Sequence, residues 1–254
     1  LILIAAIFSG PKLREMGKGD PEEKKTYLKN SVYTGLVCGV LLFGAVSFQQ
    51  FGLLTTSAGK AGFLTALYII MVPVVSVFLG KKAGLKIWLS VALALFGMYL
   101  LCIKSIDDLY LQKGDFYVIM CAVVFTFHIL VIDKMGTKGD GVIISMTQFL
   151  VCGFISLVLM FIFEEPTMES ILEAKIPLLY AGLMSGGIAY TLQIIGQNKV
   201  QPSVASLFMS LESVFAALAG YFILGERMTT REFIGCAIMF AAVLLSQMPD
   251  MKKE

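Results

Sequence analysis

Uncharged, predominantly apolar residues recur along this chain in eight long blocks, at about 31–53, 61–80, 87–103, 116–132, 141–163, 176–198, 200–225 and 233–249. A helix rises 1.5 Å per residue, so about 20 such residues cross roughly 30 Å of hydrocarbon. Three blocks have only 17 residues, the low end of the spanning range of about 17–25. The blocks are apolar on all sides, whereas strands of a membrane barrel would alternate apolar and polar positions over about ten residues. The pattern therefore predicts an all-α, polytopic membrane helix bundle. Residues 1–8 read as the last two turns of an earlier span.

Composition narrows the function classes. Hydrophobic residues make up 57% of the 254 and charged residues 15%, with a mean hydropathy of +0.84, where globular domains carry about 25% charge. Disorder, a nucleic-acid module and a disulfide-stapled secreted domain are excluded. Nearly every charge falls between blocks or at a block end; Glu212 is the exception. Fourteen Lys and Arg lie on the side holding the 10–30 segment and the C-terminal tail, against six on the other. Basic loops stay cytoplasmic, so the C-terminus is expected in the cytoplasm of a multi-pass plasma-membrane protein, read as a bacterial inner-membrane one.

Cys38, Cys102, Cys121, Cys152 and Cys236 each stand alone inside a block, and the single histidine, His128, cannot build a metal site by itself. No phosphate-cradling glycine loop or zinc-protease motif occurs. The reading is of a protein without cofactor or metal, and not an enzyme.

A shift of 144 residues superposes the blocks starting near 31 and 61 on those near 176 and 203, and lays Gln49-x-x-Gly52 on Gln193-x-x-Gly196. Each copy also carries a Gly-x-x-x-Gly, Gly35 to Gly39 and Gly182 to Gly186, read as close-packing surfaces and, less strongly, as a route to a homodimer. By the charge assignment the two copies run in opposite directions. Inverted repeats are a recurring construction of secondary transporters. The same shift places the counterpart of block 116–132 at about residue −28, so the reading expects one span and part of a second, roughly 30 residues, ahead of residue 1.

Two runs then carry a family likeness. "TSAGKAGFLTALYIIMVPVVSVFLGKKAGLKIWLSVALALFGMYLL" and "AYTLQIIGQNKVQPSVASLFMSLESVFAALAGYFILGERMTTREFIGCAIMFAAVLL" resemble the first and second repeats of EamA-type permeases of the drug/metabolite transporter superfamily. The resemblance implies a ten-helix carrier of two inverted five-helix repeats, here 1–110 and 111–254, with both termini cytoplasmic. Where that family has Leu-Glu-Pro, this chain has Leu211-Glu212-Ser213, which removes a proline kink and keeps the carboxylate.

Glu212 is the leading candidate for a translocation site, because an ionisable group at mid-span costs at least about 2.5–3.5 kcal/mol unless it meets a cavity or partner. Tyr68 takes the matching position in the first repeat. Gln49 and Gln193 are amides that need partners within the bilayer, Tyr190 flanks Gln193, and His128 lies near a span end. Each also has an ordinary reading as packing or interhelical hydrogen bonding. The expected activity is secondary transport of a small metabolite, such as an amino acid, drug or related solute, by alternating access, in the export direction. A proton is a candidate coupling partner, and no nucleic-acid partner is expected. A lipid scramblase or structural membrane protein stays open as the alternative, with an intramembrane enzyme further behind.

Overall fold

The computed structural model describes residues 21–103, 110, 112–164, 167–223, 225 and 227–248. The residues expected to end an earlier span, 1–8, lie outside these, as does Glu226. Eight helical stretches are long and apolar enough to cross a membrane, one for each predicted block. In chain order the helices are α1 (Pro21–Leu53), α2 (Ala58–Thr65), α3 (Tyr68–Phe78), α4 (Leu85–Cys102), α5 (Lys113–Met135), α6 (Gly141–Phe163), α7 (Met168–Glu173), α8 (Lys175–Tyr180), α9 (Tyr190–Gln197), α10 (Pro202–Ile223) and α11 (Thr230–Gln247). No strand occurs among the described residues. The all-α bundle is as the pattern predicts, and the chain is a multi-pass membrane protein.

Three details differ from the block pattern. Helix α1 begins ten residues before its apolar block; at 33 residues it is about 50 Å long, so its charged first turns extend past the hydrocarbon. The second span is broken at Ala66–Leu67, where tight bonds from Leu67 N to Leu64 O and from Ile69 N to Ala66 O replace the regular ladder. Pro73 follows inside α3 and leaves the carbonyl of Ile69 without its usual donor. The sixth span changes from α8 into a π-helical stretch, Ala181–Ala189, before α9. Apolarity measures length and polarity, and these local changes of hydrogen bonding alter neither.

The chain packs as two compact units. One takes the described residues up to Gly44 together with Val131–Val200; the other takes Ala45–Leu130 and the described residues from Gln201 onward. These are units of packing, interleaved along the chain. The expected division at 110/111 is one of internal repetition, which packing does not address.

In the first unit, α1 lies against α6 where Gly35 faces Thr147 and Gly39 faces Val151; a Cβ added at either would stand within 3 Å of the carbonyl of Ile144 or Gln148. Buried Cys38, Ile132, Ile144 and Ile194 form the core. Asp140 caps α6 through the amides of Val142 and Ile143 at 3.0 and 3.2 Å, and its own amide donates to Ser31 Oγ at 2.8 Å. Thr191 Oγ1 donates to Gly187 O at 2.6 Å, so Ser145 supplies the proton of the 2.7 Å contact between the two hydroxyls. The Gly35–Gly39 pair is thus a close-packing surface. The Gly182–Gly186 pair is not the same: nothing lies within 4 Å of a Cβ at Gly182, and only one at Gly186 would meet a neighbouring helix, 3.3 Å from the Phe149 ring.

In the second unit, α4 and α11 make the most extensive helix contact. Gly97 and Gly235 meet backbone to backbone: a Cβ on Gly97 would stand 2.8 Å from Gly235 O, and one on Gly235 2.7 Å from Gly97 O. Close backbone approach through small residues is how helices associate where lipid removes the hydrophobic drive between them. Around this contact Ile69, Val72, Ala94, Met98, Leu207, Val214 and Met239 complete the core.

Gly235→Val is therefore expected to lose about 1–3 kcal/mol to overpacking, lowering the melting temperature in detergent. Gly182→Ala, with open space around its Cβ, should leave it nearly unchanged. Equal melting temperatures for the two variants would contradict the assigned contact.

Candidate functional site

A cavity of about 440 Å³ lies within the second unit. Its walls come from the last turns of α1 (Gln49), from α2 (Ala58, Gly59, Gly62, Thr65), from Tyr68 opening α3, from the end of α4 (Met98, Leu101, Cys102), from α10 and from the segment entering α11 (Arg227, Met228, Glu232). Ala58 begins α2, Cys102 ends α4 and Arg227 lies between α10 and α11, three places that the order of the spans puts at one end of the unit, so the cavity opens at that end. Glu212 lies ten residues into the 22-residue α10, about 15 Å from its start. The cavity thus reaches from one end to mid-span.

The sequence of α10 explains why Glu212 faces it. Leu207, Leu211 and Val214 are buried in the core, while Met209, Ser210, Glu212, Ser213, Ala216 and Ala217 line the cavity. These fall on two faces of a 3.6-residue repeat. Small residues beside Glu212 leave room for a ligand, and two hydroxyls add polarity; that of Ser210 is turned back to Leu207 O at 2.7 Å. Glu212 itself is exposed, and the surface it exposes lines the cavity. No hydrogen bond or ion pair to its carboxylate occurs among the described residues.

At the mouth, Glu232 is already engaged. Its Oε2 accepts from Thr229 N at 2.7 Å and from Thr229 Oγ1 at 2.9 Å, while its own amide donates to that hydroxyl at 3.3 Å, a reciprocal cap that starts α11. Arg227 is exposed, and the neighbouring Arg231 stacks its guanidinium 5.1 Å from the Tyr99 ring. The cavity therefore has Arg227 beside the capped Glu232 at its rim and the carboxylate of Glu212 at depth, with Gln49 and Tyr68 as further polar lining.

Of the six residues singled out from sequence, Gln49, Tyr68 and Glu212 come together here. The other three do not line this cavity. His128 is fully buried with its ring edge to Phe125 at 6.2 Å. Tyr190 packs edge-to-face on Phe149 at 5.4 Å and, with half-buried Gln193, belongs to the first unit.

Sequence reading missed a buried ion pair. Lys60 Nζ stands 2.5 Å from Asp115 Oδ2, and both side chains are buried. Each charge lies close enough to a block end to pass for a loop residue, so no signal in the pattern separates this pair from solvated lysines and aspartates elsewhere. Among the described residues no group of three His, Cys, Asp or Glu could hold a metal ion.

Comparison with known proteins gives the relationships of the chain. The model of the EamA-like transporter family matches residues 112–248, more than half of the sequence. An uncharacterized transporter of Archaeoglobus fulgidus is 28% identical over 212 residues, which is 83% of this chain and 67% of that protein. One of Bacillus subtilis is 26% identical over 229 residues, 88% of this chain and 77% of that protein. A chloroplastic WAT1-related protein of Arabidopsis thaliana is 22% identical, and the match takes in 82% of this chain and 54% of the plant protein. A solved crystal structure superposes with a TM-score of 0.67 at 15% identity, covering 93% of this chain and 91% of the other, a likeness of fold.

If the cavity is as described, a cysteine at Ser213 reacts with a small water-soluble maleimide in the folded protein, and one at His128 does not until the protein is unfolded. Equal reactivity at both positions would contradict it.

Proposed function

Since the chain belongs to the EamA-like transporter family, and so is a membrane transporter of the drug/metabolite type, we propose that it is a secondary carrier that exports a small metabolite by alternating access through the cavity around Glu212. One observation carries the proposal: a carboxylate at mid-span, without a partner among the described residues, exposed into a cavity. An intramembrane ionisable group is costly and belongs on a pathway by default. Small residues beside it leave space, and Gln49, Tyr68 and Ser213 supply hydrogen bonds that orient a solute. A volume of about 440 Å³ falls in the range of small-molecule sites, about 300–1,000 Å³.

Glu212 can act in two ways. It can take up a proton on one side of the membrane and release it on the other as solute moves in the opposite direction, or it can pair directly with a cationic group on the solute. An amine-bearing compound such as an amino acid or drug satisfies the second, with Arg227 at the rim available to a carboxylate of the same molecule. A polar-lined cavity of this kind favours a carrier over a scramblase or a structural protein. His128 would then serve the packing of the second unit, and Tyr190 and Gln193 that of the first.

Glu212→Gln keeps shape and hydrogen bonding while removing titration. In proteoliposomes given a panel of labelled amino acids and amine-bearing solutes, we expect the wild type to move at least one of them down a pH gradient and the variant to lose that movement, with an unchanged melting temperature. Wild-type rate and pH response in the variant would reduce Glu212 to a helix contact.

Orientation rests on the asymmetry of basic residues and is checked separately. Lys25 is exposed at the start of α1 and Glu169 is exposed on α7. Cysteine at Glu169 should react with an impermeant thiol reagent on intact cells, and cysteine at Lys25 only after permeabilisation. The opposite pattern would place the C-terminus outside.

A further inference from the structure

We infer that the Lys60–Asp115 pair is a releasable latch that fixes one wall of the cavity and holds its mouth in the open position. The pair does not line the cavity, and nothing in the transport reading above uses it. Lys60 is 5% exposed and Asp115 is fully buried. Both carboxylate oxygens of Asp115 are occupied: Oδ1 accepts from Thr56 Oγ1 at 2.9 Å, and Oδ2 accepts from Gln112 N at 2.7 Å and from Lys60 Nζ at 2.5 Å. Lys60 Nζ also donates to Tyr110 O at 2.5 Å.

These bonds tie the turn carrying Thr56 and helix α2 to the start of α5. The end of α1, the turn carrying Thr56 and the start of α5 are pressed so close that a Cβ on Gly114 would collide with both Thr55 and Thr56 hydroxyls, and one on Gly52 would stand 3.0 Å from Gly114 O. Helix α2 is the element this junction holds. It has eight residues, it is cut from α3 at Ala66–Leu67, and Ala58, Gly59 and Gly62, which surround Lys60, form a wall of the cavity at its mouth. A short helix separated by a break from its continuation can move as a piece; the ion pair resists that movement beside the apolar contacts of Ala61 and Leu64 with Val118 and the approach of Gly59 to Cys102 O.

The chemistry of the pair suits a latch better than a staple. Replacing a buried ion pair by apolar residues is often neutral or stabilising, because desolvation offsets the attraction, whereas removing one partner is strongly destabilising. Net stability is therefore a weak reason for this pair. Its distinctive property is that it is either made, with all its bonds, or broken. That is the behaviour of a two-state element whose equilibrium sets how the mouth is populated.

The inference rests on the transport reading only in taking the mouth to open and close, and its test does not use transport. In a protein whose five native cysteines are replaced, Ser213→Cys at the cavity wall is labelled with a sulfonated maleimide in proteoliposomes. The apolar pair K60M/D115L should fold with a melting temperature near that of the wild type and be labelled more slowly. Roughly tenfold slower labelling corresponds to ~1.4 kcal/mol of shift toward the closed mouth. The exchanged pair K60D/D115K should restore the rate. A pair that only stabilises the fold would lower the melting temperature and leave labelling unchanged, which overturns the latch. If K60M/D115L does not fold, T56V removes a single bond to Asp115, and the latch requires slower labelling there at an unaltered melting temperature; an unchanged rate overturns it. The labelling needs no transported solute and leaves Glu212 in place, so failure of the transport reading and failure of the latch are told apart.

Discussion

Hydrocarbon does not solvate polar groups, and each part of this molecule answers to that constraint. Backbone amides and carbonyls in the bilayer must find partners within the chain, so the apolar blocks become helices. The same constraint makes an unpartnered carboxylate at mid-span informative. In a water-soluble protein an exposed glutamate is unremarkable, whereas Glu212, halfway along a 22-residue apolar helix, persists only because α10 turns it toward a cavity. Three features of the second unit lie beside that cavity: the break at Ala66–Leu67 next to Tyr68, the reciprocal cap that begins α11, and the buried ion pair behind α2. Irregular backbone at membrane depth is tolerated where it borders protein or a cavity.

The packing follows from what lipid removes. Helices in a bilayer gain little from hiding leucine, since lipid tails are equally apolar, so contact depends on how closely backbones approach. Gly97 against Gly235 in one unit, and Gly35 and Gly39 against α6 in the other, are close approaches of this kind. They hold α4 on α11 and α1 on α6, and the α4–α11 pair supplies part of the cavity wall through Met98, Cys102 and Glu232. Glycine here positions the site.

Much of this was legible in the sequence, and the limits have physical reasons. The eight spans follow from the distances between charges, because charge is the one feature a lipid-facing helix cannot carry. Glu212 follows from being the exception to that rule, and Tyr68 and Gln49 were singled out through the expected repeat. The break in the second span and the π turn in the sixth were not legible, since both conserve apolarity and change only which carbonyl each amide meets. Nor was the Lys60–Asp115 pair, whose partners are 55 positions apart and look, one at a time, like residues at a water boundary. The second Gly-x-x-x-Gly looks like the first in sequence and differs in structure, lying on a π-helical stretch with open space at Gly182. His128, Tyr190 and Gln193 show how little a polar side chain in an apolar helix says by itself: all three are polar and within spans, and none reaches the cavity that Glu212 faces.

The account turns on Glu212 lying in the path of the transported solute. Carbodiimide labelling of the reconstituted protein, resolved by mass spectrometry, tests that most directly, because the reagent partitions into apolar cavities and modifies carboxyls there. The account predicts that Glu212 is modified, that transport falls in step with its modification, and that a transported solute protects it in proportion to its concentration. Modification of Glu212 that proceeds at the same rate with and without solute, while transport continues, would contradict it.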